Sequence, residues 1–271
     1  MGADPQRRRA ETPASGANVI GAGEIRARAL RLRLLPAHIE KDYVLNHVLA
    51  ALADGDAGLV FRGGTALARI YWPDYRLSED LDFITSPRVS DLRDPLDQAI
   101  RRAGESAGMA LQLRAGRVRN GWLRSAVTWG DGSIVLDVIG GERAYLPVER
   151  RPLSLPYTDL AGKDRVIDVV ALPEILGNKW WMLDDRQEPR DLFDLWAGLC
   201  GFDVPFDRVA EGYRAKFGGT PGIWHLERAK AVKDRWELRL SHQVADLPSF
   251  EEAYEAVRIK CEEWSRRRED G

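Results

Sequence analysis

Between Leu59 and Phe83 the chain places two short apolar segments around a glycine bend, in an order that leaves few folds open. Leu59-Val60-Phe61 reads as a short buried strand that stops at Arg62-Gly63-Gly64. Thr65 to Trp72 then reads as a short helix, because Ala66, Leu67 and Ile70 share one face and Pro73 ends it. Asp80 to Ile84 alternates charged and apolar residues, the period of a half-buried strand. Strand, glycine bend, helix and acidic strand together predict a mixed α/β (α+β) architecture, a sheet flanked by helices.

The flanking segments extend this pattern. Pro36 to Asp54 has helical spacing at Ile39, Tyr43, Val44, His47, Val48 and Leu52, with Pro36 in the first turn and Gly55 as the stop. Leu92 to Ala107 is an amphipathic helix. Met109 to Val118, Trp122 to Trp129 and Ser133 to Ile139 read as successive antiparallel strands, with Asn120-Gly121 and Asp131-Gly132 as hairpin turns. After Pro156 the composition turns helical. A strand at Arg165 to Val170 precedes helices at Leu172–Leu183, Arg190–Leu199, Pro205–Phe217, Trp224–Leu240 and Ser249–Arg267. The expected organisation is a flexible leader over 1–23, a mixed-sheet domain over 24–160 and a mainly helical C-terminal domain over 161–271.

Composition narrows the function classes. No run approaches the ~18 apolar residues needed to cross a bilayer, so no membrane partner is expected. Met1 to Arg9 has no apolar segment behind it, which argues against a signal peptide. Two cysteines, Cys200 and Cys261, are too few for a disulfide framework and read as reduced thiols of a cytoplasmic protein. Forty basic against 42 acidic residues give no overall basic footprint for nucleic acid, although arginine gathers locally, as at Arg114, Arg117, Arg119 and Arg124.

The chemistry is concentrated at the bend and the acidic strand. Gly63 and Gly64 let the backbone turn sharply and approach a ligand, and the following helix start suits a triphosphate. Asp80 and Asp82 lie two apart on a strand, so their carboxylates leave the same face. Paired carboxylates repel unless a cation lies between them, and hard oxygen ligands suit Mg²⁺, or Mn²⁺ in its place. Asp137, in the apolar run Ile134–Ile139, would become a third ligand if its strand lay alongside. Such a set meets the needs of a two-metal displacement at phosphorus. Each part also has a plain reading: a simple turn, a solvated strand face, an edge residue. The nine tryptophans read as core anchors rather than base-stacking platforms.

Gly63-Gly64-Thr65-Ala66-Leu67 followed by Arg76-x-Ser78-x-Asp80-x-Asp82-Phe83 resembles the AbiEii/AbiGii toxin family, which includes the MenT-like toxins of the DNA polymerase β-like nucleotidyltransferase superfamily. Glu40-Lys41-Asp42-Tyr43 agrees, as do Lys179 and Arg190-Asp191-Leu192-Phe193-Asp194-Leu195. The likeness spans roughly residues 36 to 200. It implies that Gly63, Gly64 and Thr65 hold the NTP triphosphate, that Asp80 and Asp82 bind metal, and that Ser78 lines the nucleotide site. It also implies that Lys179 reaches a phosphate and that Asp191 is a second essential position on the helical side. The alternatives are a surface lysine beside Trp180 and Trp181, and ordinary helix-start charges for Asp191 and Asp194. Pairing of Arg190 with Asp191 or Asp194 is the expectation for that arginine.

By resemblance the chain is expected to move a nucleotide from NTP onto an RNA 3′ end, tRNA in particular, blocking translation until a cognate antitoxin restrains it. A protein hydroxyl as acceptor, or a nucleotide-binding protein without catalysis, are the competing readings.

Overall fold

The strand expected at Asp80–Ile84 runs from Asp80 to Thr85 and lies inside an eight-stranded mixed sheet. The computed structural model describes Ile20, residues 22–114 and residues 116–269. The expected leader lies almost wholly outside the described residues. The strands are β1 (Leu59–Arg62), β2 (Asp80–Thr85), β3 (Gln112–Leu113), β4 (Arg117–Arg119), β5 (Trp122–Trp129), β6 (Gly132–Gly140), β7 (Glu149–Pro152) and β8 (Val166–Val169). Their order is β3-β5-β6-β2-β1-β8-β7, with β4 paired to β5 beside β3. β2 runs antiparallel to β1 and parallel to β6.

The helices are α1 (Ala22–Leu32), α2 (Pro36–Ala53), α3 (Gly63–Ala66), α4 (Arg93–Ala107), α5 (Leu172–Asp185), α6 (Pro189–Trp196), α7 (Phe206–Phe217), α8 (Ile223–Arg228), α9 (Trp236–Leu240) and α10 (Phe250–Glu269). Alternation on β2 sends Leu81 and Phe83 into the core, where α2 packs and Phe83 meets Phe61 of β1 at 5.2 Å between ring centroids. The opposite face, which carries the aspartates, is roofed by α5 and α6. α5 crosses α7 at Gly177 and Gly212, where a Cβ at either position would overlap the other helix's backbone. That close crossing fixes the helix that carries Lys179.

Several elements depart from the sequence reading. Met109–Val118 is not one strand; it divides into β3 and β4, which pair with different parts of β5. The turn between β5 and β6 is Gly130-Asp131, one residue earlier than expected, because Gly130 supplies the positive φ of 42°. The helix after the bend begins at Gly63 and widens to π winding over Leu67–Tyr71. That segment carries Arg69, whose guanidinium is buried against Asp42. The expected helix Trp224–Leu240 is split by a tighter turn over Ala229–Arg235, which brings Arg235 Nη2 to the Gln187 carbonyl at 2.7 Å. Strand β8 pairs parallel with β1 through Phe61 and Val169, so the sheet continues past the boundary expected at residue 160. β7 was not foreseen; it is an edge strand ending in Pro152, a position proline tolerates.

Candidate active site

Register decides which side chains meet. Asp82 is the direct partner of Asp137 on β6, and Asp137 is the direct partner of Arg124 on β5. Adjacent strands are spaced by about 4.8 Å, so Asp80, Asp82 and Asp137 form an acidic patch on one face. The patch floors a cavity of about 340 Å³, walled by the glycine bend on one side, Trp122 and Arg124 on the other, and α5 and α6 above.

The two glycines are required by what faces them. Gly63 has φ 81°, and a Cβ there would overlap Asp82 Oδ2. A Cβ on Gly64 would overlap Arg76 Nη2. The bend therefore lies directly against one carboxylate and one buried guanidinium. Thr65 is fully buried and lies behind the cavity wall; its hydroxyl is shared between Ser78 Oγ, at 2.7 Å, and the Asp80 carbonyl. Its geometry is that of a strut tying the bend to the approach of β2, whereas Ser78 reaches the cavity.

From above, Lys179 Nζ lies 2.8 Å from Asp191 Oδ1 and 2.7 Å from Asp194 Oδ2. Asp191 also accepts from Arg186 Nε at 2.8 Å and Nη2 at 2.7 Å. Asp194 accepts from Arg76 Nε at 2.6 Å and Nη2 at 3.0 Å, and from Tyr75 Oη at 2.7 Å. Both carboxylates are fully buried, and Lys179 is nearly so while still lining the cavity. Charge pairing explains how they survive burial: their cations hold both carboxyls below the usual range despite desolvation. Arg76 is further held by Gln243 Oε1 at 3.0 Å, and the Leu77 amide donates to the Gln243 carbonyl at 2.9 Å. The C-terminal region thus braces the segment that leads into β2.

Asp82 and Asp137 on the floor have the opposite electrostatics. Burial, then the neighbouring Asp80, pushes the Asp82 carboxyl above its ordinary value. Burial pushes Asp137 up to about 6 against the pull of Arg124, with Asp82 and Asp80 adding to the rise. Asp137 Oδ1 is buried without any hydrogen-bond partner, and Asp137 Oδ2 lies 3.3 Å from Arg124 Nη1. Three clustered carboxylates, two of them with raised proton affinity and one with an orphan oxygen, fit a hard divalent cation. No three acidic, histidine or cysteine side chains among the described residues are closed into a ready cation cage. Asp80 is drawn instead to Arg190, and Asp137 to Arg124.

The sequence matches the family described as "Nucleotidyl transferase AbiEii toxin, Type IV TA system" over residues 45–256. The chain belongs to the AbiEii toxin family. Among solved structures it is similar to MenT4, a nucleotidyltransferase toxin of Mycobacterium tuberculosis H37Rv, at TM-score 0.63 and 20% identity, covering 89% of this chain and 88% of that one. That likeness is one of fold. No curated protein matches the sequence. AbiEii membership makes the chain a nucleotidyltransferase toxin of a toxin–antitoxin system, with an NTP substrate and an antitoxin partner. No helix among the described residues is long and apolar enough to cross a membrane.

Within this AbiEii chain, the expected site residues divide by position. Asp80, Asp82, Asp137, Ser78, Gly63, Gly64 and Lys179 reach one cavity. Thr65 and Asp191 do not line it; they hold residues that do. Arg190 does not pair with Asp191 or Asp194 as expected, because Asp191 and Asp194 are taken by Arg186, Lys179 and Arg76. Its Nη1 reaches Asp80 Oδ2 at 2.8 Å. Asp194 is not an ordinary helix-start charge, being the buried counter-ion of Arg76 and Lys179. Arg186, Asn178 and Trp122 were missed. Asn178 adjoins the matched Lys179, which could have flagged it; Arg186, past the end of α5 and separated from α6 by Gln187 and Glu188, and Trp122 carried no sequence signal. The motif Glu40–Tyr43 is scaffold: Glu40 accepts from Trp129 Nε1 at 2.8 Å, Asp42 from Tyr157 Oη at 2.7 Å, and Tyr43 donates to Asp159 at 2.7 Å.

Proposed function

We propose that this toxin transfers a nucleotide from an NTP to the 3′ end of an RNA, with tRNA as the acceptor, and so blocks translation. The observation that carries the reading is the single cavity that joins three carboxylates to a glycine bend and a cationic roof. The bend lacks side chains, so the triphosphate can lie close to the backbone. Lys179, Arg186 and Arg190 line the roof and neutralise the triphosphate charge, and Lys179 is held in place by the buried Asp191 and Asp194. Asp80, Asp82 and Asp137 would hold Mg²⁺ or Mn²⁺, which when bound supplies charge neutralisation at the reacting phosphate. The unpartnered Asp137 Oδ1 is available to that cation or to the acceptor hydroxyl proton. The new bond joins the acceptor oxygen to the α-phosphorus, and the bond to the β-phosphate bridging oxygen breaks to release pyrophosphate. Ser78, inside the cavity beside the carboxylates, contacts the nucleotide.

The experiment is incubation of the purified protein with each labelled NTP, Mg²⁺ and tRNA. Labelled RNA is expected, and Asp82→Ala should abolish it. Label on a protein instead would move the acceptor to a protein hydroxyl, and no transfer with any NTP across RNA pools would end the RNA reading.

A further inference from the structure

The geometry points to the β4–β5 hairpin as a docking ledge for the single-stranded 3′ end of an RNA acceptor. This rests on the nucleotidyl-transfer reading above and adds the path by which the acceptor arrives. In an in-line displacement the attacking and leaving oxygens lie on opposite sides of the phosphorus. In sheet order the carboxylates of β2 and β6 lie between the glycine bend after β1 and the strand β5. The triphosphate side is the bend, where Arg62, Lys179 and Asn178 also line a second small recess. The attacking hydroxyl therefore comes from the other side, over β5 and then β4.

That approach is built for a polyanion carrying bases. Cross-strand partners share a face. Arg117 is opposite Arg124, and Arg119 is opposite Trp122. The same face continues inward, since Arg124 is opposite Asp137 and Trp122 is opposite Ile139. Three arginines and one tryptophan thus form a ribbon ending at the acidic floor. Arg117 and Arg119 are exposed, and no carboxylate among the described residues pairs with either. By contrast Arg62, Arg69, Arg76, Arg186 and Arg190 are all engaged by acids. Other exposed arginines, such as Arg88 and Arg143, also lack an acid; what distinguishes Arg117 and Arg119 is register, which lines them up with Arg124 and Trp122 toward the acidic floor, a placement suited to a phosphate backbone.

Trp122 is 42% exposed at the cavity mouth, with the Arg124 guanidinium 5.9 Å from its ring. An indole face beside arginines is the usual pairing for stacking a base while its phosphates are neutralised. The ribbon is also stiff: Asn120 and Gly121, both at positive φ, close it with a two-residue turn whose twist matches the strands. RNA is the occupant that engages all four side chains in one arrangement, with phosphates on the arginines and a base on the indole; an acidic protein surface, which could also meet Arg and Trp, is the competing outcome of the test.

The test uses the full chain and a fluorescein-labelled RNA hairpin with a short single-stranded 3′ overhang, followed by anisotropy across a salt series. Arg117→Ala/Arg119→Ala should weaken binding about tenfold and reduce the salt slope by about 1.4, the loss of two single-strand phosphate contacts. Trp122→Ala should weaken it by roughly tenfold, and Trp122→Phe should recover most of the loss, since stacking tolerates any aromatic face. Binding of a fluorescent ATP analogue with Mg²⁺ should be unchanged in the double arginine variant, which also reports that it is folded. Wild-type affinity and slope in that variant, equal binding of a blunt hairpin, or nucleotide transfer to protein that survives all three variants would each overturn the ledge. Loss of RNA binding in the variants, with a wild type that takes up no fluorescent analogue of any of the four NTPs, would keep the ledge and remove the transfer reading instead.

Discussion

Arg190 Nη1 lies 2.8 Å from Asp80 Oδ2, a salt bridge that joins α6 to β2 across the cavity mouth. Arg190 occupies a carboxylate oxygen that a divalent cation would also use, so the two compete. Once a triphosphate enters, the same guanidinium has a better anion within reach. Arg190→Ala is therefore expected to do two opposite things. Mg²⁺ should bind at lower concentration, read as a thermal shift of the NTP-free protein, while KM for NTP rises about tenfold through loss of a charge-assisted contact. A weaker Mg²⁺ response in the variant would refute the competition.

The glycine bend has a sharper constraint. A Cβ on Gly64 would overlap Arg76 Nη2, and one on Gly63 would overlap Asp82 Oδ2 at a φ of 81°. Gly64→Ala must displace a guanidinium fixed by Asp194 and Gln243, and Gly63→Ala must strain the backbone as well. Each should cost about 1–3 kcal/mol in denaturant unfolding and lower transfer more than a hundredfold. If Gly63→Ala kept full transfer activity, the bend would not be the triphosphate seat.

How far the sequence carried the reading follows from the range of each signal. Alternation over Asp80–Ile84 and the Gly63-Gly64 break are local, and they located β1, the bend, β2 and the shared face of Asp80 and Asp82. Asp137 was found because its strand pattern needed only a neighbour, and the parallel register with Asp82 supplied it. Partner choice is not local. Nothing near Arg190 in the chain distinguishes Asp191, one residue away, from Asp80, which lies 110 positions earlier. Likewise Trp122 looks like any other strand tryptophan until register sets it between Arg119 and Ile139 at the cavity mouth. Thr65 sits in the matched motif, yet its hydroxyl serves the backbone of β2 rather than the cavity.

The roof makes a different claim on stability than on catalysis. Asp194 neutralises Arg76 and Lys179 where no water reaches. Asp194→Asn leaves Arg76 without its acid and Lys179 with Asp191 alone, and should cost about 3–5 kcal/mol in denaturant unfolding, with activity falling through loss of folded protein. Lys179→Met removes the cation that lines the cavity and should lower transfer strongly even in the fraction that remains folded. An Asp194→Asn protein of wild-type stability would show that the buried Arg76–Asp194 pair does not brace the roof.

A pH experiment isolates Asp137. Its carboxyl is pushed up to about 6 by burial and by Asp82 and Asp80, so the folded state binds this proton more tightly than the unfolded chain, whose aspartates titrate near about 4. The ionised form therefore destabilises the metal-free fold above about pH 6, and that penalty disappears as pH falls toward 4. Three histidines act in the reverse sense over the same window: buried His47 and His225 and half-buried His38 are held below their ordinary value by desolvation, and each costs stability as pH falls. A melting curve of the wild type alone mixes the two effects. Asp137→Asn removes only the first and keeps all three histidines, so the difference between the two proteins is the useful quantity. Without metal, the variant is expected to melt above the wild type at about pH 7.5, with the gap roughly halved by about pH 5 and closing toward about pH 4. Saturating Mg²⁺ at about pH 7.5 should reverse the order, because the wild type gains a ligated cation through a carboxylate that asparagine replaces poorly. A gap that stays constant from about pH 7.5 to 5 would mean that Asp137 carries no electrostatic burden from its register partner Asp82.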